Sequence, residues 1–237
     1  VRVTGVLIFL FFILTECAAD EMHHEEIIGK IKARYDEIQD YQCRLVEYCT
    51  DSSRYEKRTI NFYFKKPKLI RMDILKGNRP FDPGSVAVYH GSGKVTGHRG
   101  GILKHLILNL SKTHTLATTI RGVTIDESDM ETVLTRLHFF LEGGIIVVNE
   151  RVDVYEFVCI PFNAAENEGV TKDIVWIDKK ELLIRRNERY EEETLVQEAQ
   201  WSNYIINAGL PDELFDVHFD VTTLSQRGIP LLGQTIE

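Results

Sequence analysis

The chain has 237 residues, 43% of them hydrophobic, with 36 acidic against 28 basic side chains and a net charge of −8. An acidic chain whose Lys and Arg are scattered has no general electrostatic reason to bind nucleic acid or an anionic membrane surface. Its length is that of one larger domain with ample core.

The first stretch, "VRVTGVLIFLFFILTECAADEM", has Arg2, an apolar run from Val6 to Leu14, and small residues at Ala18 and Ala19. That order is the signature of a secretory signal peptide, and the run is shorter than the roughly 20 apolar residues of a spanning helix. "LTEC" ending at Cys17 resembles a lipobox, but Glu16 stands where that motif wants a small residue, so cleavage after Ala19 fits better. Residues 1–19 are therefore read as a signal peptide and 20–237 as a single domain of a periplasmic protein. An outer-membrane lipoprotein acylated at Cys17 is the alternative.

Ile27, Ile28, Ile31, Tyr35 and Ile38 recur at helical spacing and predict an amphipathic helix over 22–40. The period then changes to that of strands: 41–51, 58–66 and 68–76, with Pro67 breaking the second from the third. In the two strands beside it, Ile60, Phe62 and Phe64 point to one side, and Ile70, Met72 and Ile74 can continue that side. A short strand follows at 85–90, then glycine-rich turns at 91–94 and 97–101. The run 102–110 is ambiguous between strand and helix, and its Ile102, Leu103, Leu106, Ile107, Leu108 and Leu110 are expected to be buried either way. A second helix is predicted over 125–143, with Ser128 and Glu131 as capping box, a stripe of Met130, Val133, Leu134, Leu137 and Leu141, and Gly143-Gly144 as stop. Strands return at 145–162 (two, around residues 149–151), 171–178, then "ELLIRRNERYE" and 194–206, and the chain ends in a short polar tail. The expected fold is α+β: a half-open, strongly curved antiparallel sheet, an incomplete barrel, with helices covering its concave face.

Little in this pattern speaks for chemistry. The eight histidines show no metal-ligand spacing, and "HHEE" at 23–26 lacks the H-E-x-x-H order. "GSGK" at 91–94 has Val88 and Val95 where a phosphate loop needs Gly and Ser or Thr, and no G-x-S-x-G occurs. No catalytic residue, metal or cofactor is expected. Cys43 and Cys49 on one strand would lie roughly 20 Å apart, too far for a disulfide; pairing of Cys159 with either, or three buried thiols, both stay open.

Four ordered stretches are similar to one family, the LolA-like periplasmic carriers of outer-membrane lipoproteins. They are "FYFKKPKLIRMDI", "VAVYHGSGKVTG", "KDIVWIDKKELLIRR" and "NAGLPDELFDVHF", and they span roughly residues 25–220. The resemblance implies a monomeric carrier, not an enzyme. It would hold acyl chains of lipoproteins or lipids in a hydrophobic cavity, taking them from an inner-membrane donor to an outer-membrane acceptor. The cavity wall is then expected at Ile60, Phe62, Phe64, Ile70, Met72, Ile74, Val88, Leu134 and Leu137. Lys66 stands where the family's typical carrier has an arginine that latches the lid, a point charge in place of a guanidinium fork. The sequence looks most like the divergent branch of the family. A sensor or regulatory interaction protein on the same fold is the second reading.

Overall fold

A computed structural model describes residues 24–51 and 53–232. The segment read as a signal peptide, Cys17 included, lies outside the described residues.

Helix α1 occupies 24–37. Eleven strands follow: β1 (Asp40–Thr50), β2 (Tyr55–Lys65), β3 (Leu69–Gly77), β4 (Ser85–Tyr89), β5 (Lys94–His98), β6 (Leu108–Ser111), β7 (Gly144–Glu150), β8 (Val154–Pro161), β9 (Lys172–Asp178), β10 (Ile184–Glu191) and β11 (Thr194–Ile206). Helix α2 (Met130–Gly143) lies between β6 and β7, and a single turn, α3 (Thr223–Gln226), lies near the end.

All eleven strands form one antiparallel sheet in the order β6-β5-β4-β3-β2-β1-β11-β10-β9-β8-β7, curved but not closed. Two meanders meet where β1 pairs with β11, so the open edges are β6 and β7. These two edges are consecutive in the chain. The connection between them, residues 112–143, therefore has to cross the mouth of the half-barrel. It does so first as an irregular strap, 112–124, and then as α2.

Register puts the expected apolar sides on one face: Ile60 faces Ile74, Phe62 faces Met72, and Phe64 faces Ile70. Leu45, Cys43 and Tyr41 continue the same rows on β1. Because side chains alternate at a period of two, a one-residue slip would turn all of them to the other face. Helices α1 and α2 cover these rows, with Ile28, Ile31, Val133, Leu137 and Phe140 in the same cluster.

The outer face is not bare. After β11 the chain runs back over β2–β4, where Leu210, Leu214, Phe215 and Leu224 pack on Tyr63 and Val88. Buried Arg71 pins this segment by donating to the carbonyls of Leu214 (2.9 Å) and Asp216 (2.8 Å), and to Asp73 (2.7 Å). The described part of the tail read as short and polar joins that layer: Ile229 is buried, and the Gln42 amide donates to Pro230 O.

Other expectations need correcting. The 102–110 run is a 3-10 turn (Gly101–His105) followed by edge strand β6. Ile102 is 83% exposed and Leu106 57%, because an edge strand and the turn beside it have no neighbour to cover one side. The capping box sits one turn earlier than expected, around the 3-10 turn Ile125–Glu127, where Thr124 and Glu127 exchange hydrogen bonds. Asp129, not Ser128, is the N-cap of α2 and accepts from Thr132 N at 3.1 Å. Cys43, Cys49 and Cys159 are three free, buried thiols; burial pushes the pKa of Cys43 and of Cys159 up, out of the reactive range.

Candidate functional site

The apolar rows under the two helices lie in the main core. Ile60, Phe62, Phe64 and Ile70 are fully buried in the main cluster, and Leu134 and Leu137 reach them from α2. Tyr41 stacks on both Phe62 and Phe64, with ring centroids 5.8 and 5.1 Å apart. Six of the residues expected to line a cavity thus lie in the core. Val88 is on the opposite face, in the cluster under the C-terminal segment, because it is one residue out of phase with Ala87, the neighbour of Met72.

The space lies to one side, over β3–β6. Met72 and Ile74 form its floor together with Ala87, Val95, Leu108 and Leu110. The strap forms its roof through Leu116, Ala117 and Val123, and Ile125 closes one end. The volume is about 140 Å³, close to that of an engineered apolar cavity of ~150 Å³ that takes benzene.

Polar groups gather at one rim of this cavity. Arg58, Arg79, Asp82, His98 and Arg99 stand there, contributed by the start of β2, the β3–β4 loop and the end of β5. Arg58 pairs with Glu47 (2.8 Å), Arg99 with Asp82 (3.0 Å), and Arg79 with Glu56. Burial holds the Arg79 guanidinium below its ordinary pKa; Asp82 opposes this and the neighbouring Arg99 adds to it.

Two arms hold the strap. Lys112 pairs with Asp126 at 2.6 Å, and Arg121 bonds Glu191 and the Thr50 carbonyl (3.2 Å). The helices are held differently, from the β2–β3 turn. Lys66 Nζ donates to the carbonyls of Tyr35 (2.8 Å) and Asp36 (3.1 Å) at the C-terminus of α1 and lies over the Tyr35 ring. Two residues on, Lys68 Nζ meets Asp129 (2.7 Å) and Glu131 (2.9 Å) at the N-terminus of α2. Each contact also matches the polarity of its helix end.

These two lysines differ in what they leave behind. Lys66→Ala exposes two helix-end carbonyls to water and is expected to cost about 1 kcal/mol. Lys68→Ala strands the fully buried Asp129 carboxylate and is expected to cost about 1.5–3 kcal/mol. Asp129→Asn added to Lys68→Ala should recover most of that loss, since an amide oxygen still caps Thr132. Urea denaturation of the three variants checks the ranking; equal losses for Lys66→Ala and Lys68→Ala would contradict it.

Sequence reasoning missed the strap and the arginines. Leu108 and Leu110, two apart, carried a strand signal inside the ambiguous run. Arg58, Arg79 and Arg99 carried none, since each lies about twenty residues from the next and only the sheet order brings them together.

No family model matches the chain, and no curated protein matches it by sequence. Solved structures do. A DUF1329 family protein from Desulfovibrio piger is 14% identical, with 83% of this chain and 97% of that chain covered and a TM-score of 0.47. A LolA superfamily protein from Nitrosomonas europaea is 12% identical over 79% of this chain and 96% of that one, TM-score 0.38. The Mycobacterium tuberculosis lipoprotein LppX is 9% identical over 76% and 95%, TM-score 0.45. The matches include the group that the four quoted stretches resemble. At these identities and scores, function is argued from the chain's own geometry.

Proposed function

We propose that the chain is a non-catalytic periplasmic carrier that holds acyl chains of lipoproteins or lipids and passes them toward the outer membrane. The observation behind this reading is the apolar cavity between β3–β6 and the strap. Its floor is sheet, but its roof is a thin irregular segment rather than a packed helix. Each buried methylene contributes about 0.8 kcal/mol, so the roughly six carbons that such a space accepts supply about 5 kcal/mol. A chain of ~16 carbons, worth on the order of 10 kcal/mol, needs the roof to lift. In this reading the strap moves, while α1 and α2 stay clamped by Lys66 and Lys68.

The test is native mass spectrometry of the protein purified without detergent from a bacterial periplasm. A reproducible adduct that fragments into fatty acyl ions is expected. A clean apo mass, with no displacement of an acyl fluorophore, would sink the carrier reading.

One observation favours the second reading, an interaction protein. On edge strand β7 no charge occurs from Ile145 to Asn149, and Ile145, Val147, Ile160 and Phe162 are exposed beside one another. Such an edge suits an added strand from a protein partner. Under that reading the native spectrum carries a polypeptide adduct, and Val147→Lys removes it. Persistence of the adduct in Val147→Lys would clear β7 of the role.

A further inference from the structure

The rim of the cavity has a sign. Among the charged residues that line it are Arg58, Arg79 and Arg99 against one acid, Asp82. The carboxylates paired with Arg58 and Arg79, those of Glu47 and Glu56, do not reach the lining. The side chains of Glu56 and Asp82 are 5% exposed, whereas those of Arg79 and Arg99 are 28% and 27% exposed. At these two pairs the acid is the more deeply buried partner and the arginine the more exposed one, while Arg58 and Glu47 are about equally buried, at 17% and 15% exposed. A guanidinium carries five donors, and one carboxylate engages two of them at most in a fork. Arg99 uses Nη2 for Pro80 O (2.6 Å) and Asp82, and leaves its buried Nε without a hydrogen-bond partner. A net charge of −8 gives this chain no general pull on anions, so three arginines on one cavity lining require their own account.

We propose that the cavity binds an anionic amphiphile, its tail against Met72, Val95 and Leu110 and its carboxylate or phosphate head at Arg79 and Arg99. This rests on the acyl-binding reading above and narrows it: the head selects the ligand, the tail supplies the affinity. In a site partly screened from water, an oxyanion held by two guanidinium groups gains more than a hydroxyl does. The neutral alcohol of equal length fills the same space and loses only the head contacts.

The experiment is displacement of an acyl fluorophore from the purified protein by octanoate, octyl phosphate and octanol. At least one of the two anions is expected to bind about tenfold tighter than octanol, and the better of the two identifies the head. Raising salt from about 0.05 to 0.5 M should weaken the anions and leave octanol unchanged. In Arg79→Gln/Arg99→Gln the preference should fall below about threefold with octanol affinity retained. Should that variant not fold, Arg79→Gln/Glu56→Gln, which removes a buried acid with its partner, takes its place. Equal binding of all three ligands to the unaltered protein would overturn the head-group proposal and leave the acyl cavity standing. Failure of all three to displace the fluorophore would overturn both.

Discussion

Ala87→Phe abolishes acyl binding without unfolding the protein: that is the expected result of the most direct test of the cavity. Ala87 on β4 faces Met72 on β3 and Gly97 on β5, so its side chain enters the cavity floor at the centre. A phenyl ring has the size of benzene, the molecule that a void of this volume accepts. The ring takes the space that the first six carbons of a tail would occupy, removing about 5 kcal/mol of transfer free energy, or more than a thousandfold in affinity. Stability should not fall by more than about 1 kcal/mol, because the ring fills a void instead of displacing packed neighbours. Phenylalanine also suits a strand. Displacement of an acyl fluorophore measures the first effect and urea denaturation the second. Unchanged affinity in a folded Ala87→Phe would show that acyl chains, if bound, lie elsewhere.

Phe62→Ala should do the reverse. Phe62 is fully buried between Cys43 and Met72 on neighbouring strands and stacks on Tyr41. Truncating it leaves a hole under α1 that a sheet between two packed strands cannot close, and the expected loss is about 3–5 kcal/mol. Below the unfolding transition, acyl affinity should stay within about threefold of the unaltered protein, since the side chain does not line the cavity. The pair of variants separates two pictures of opening. If the strap is the roof that moves, binding responds to position 87 and stability to position 62. If α1 lifted as a lid, Phe62 would become part of the wall, and its truncation would weaken binding at least as much as folding. An aspartate at 62 is not informative, because an unpaired carboxylate at that depth unfolds the protein in either picture.

The neighbouring role of Lys66 bears on the same question. Its contacts with the last carbonyls of α1 hold that helix to the β2–β3 turn, and Lys68 holds α2 from the same turn. A single rigid hairpin end gripping both helices favours their staying in place while the strap between β6 and α2 yields. The strap's own ties, Lys112 to Asp126 and Arg121 to Glu191, join partly exposed groups, and such pairs are worth little each. The cheaper motion is the one that breaks them.

How much of this was legible beforehand depends on the range of the interaction that decides each feature. Strand positions from Tyr41 to Ile74 were readable because alternation of apolar side chains is local, and a half-buried sheet punishes any slip in it. The helical stripe of Met130, Val133, Leu134 and Leu137 was readable for the same reason at a period of 3.6. The N-cap of α2 was misplaced because Ser128 and Asp129 are adjacent candidates, and the pairing of Asp129 with Lys68, about sixty residues away in the chain, is not a local signal. Burial of Ile102 and Leu106 was misjudged because hydrophobicity says what a residue favours, not whether an edge strand offers it a neighbour. What the amino-acid order alone determined, then, was most of the strands, the face presented by the two beside Pro67, and the need for helices to cover that face; β5, the nature of the 102–110 run and the face of Val88 were not among them. Only the tertiary structure decided where the cover is incomplete. The void arises from the route of 112–124 between two open edges, and its charged rim arises from three arginines that share no local pattern and meet only because β2 begins on the side where β3 and β5 end.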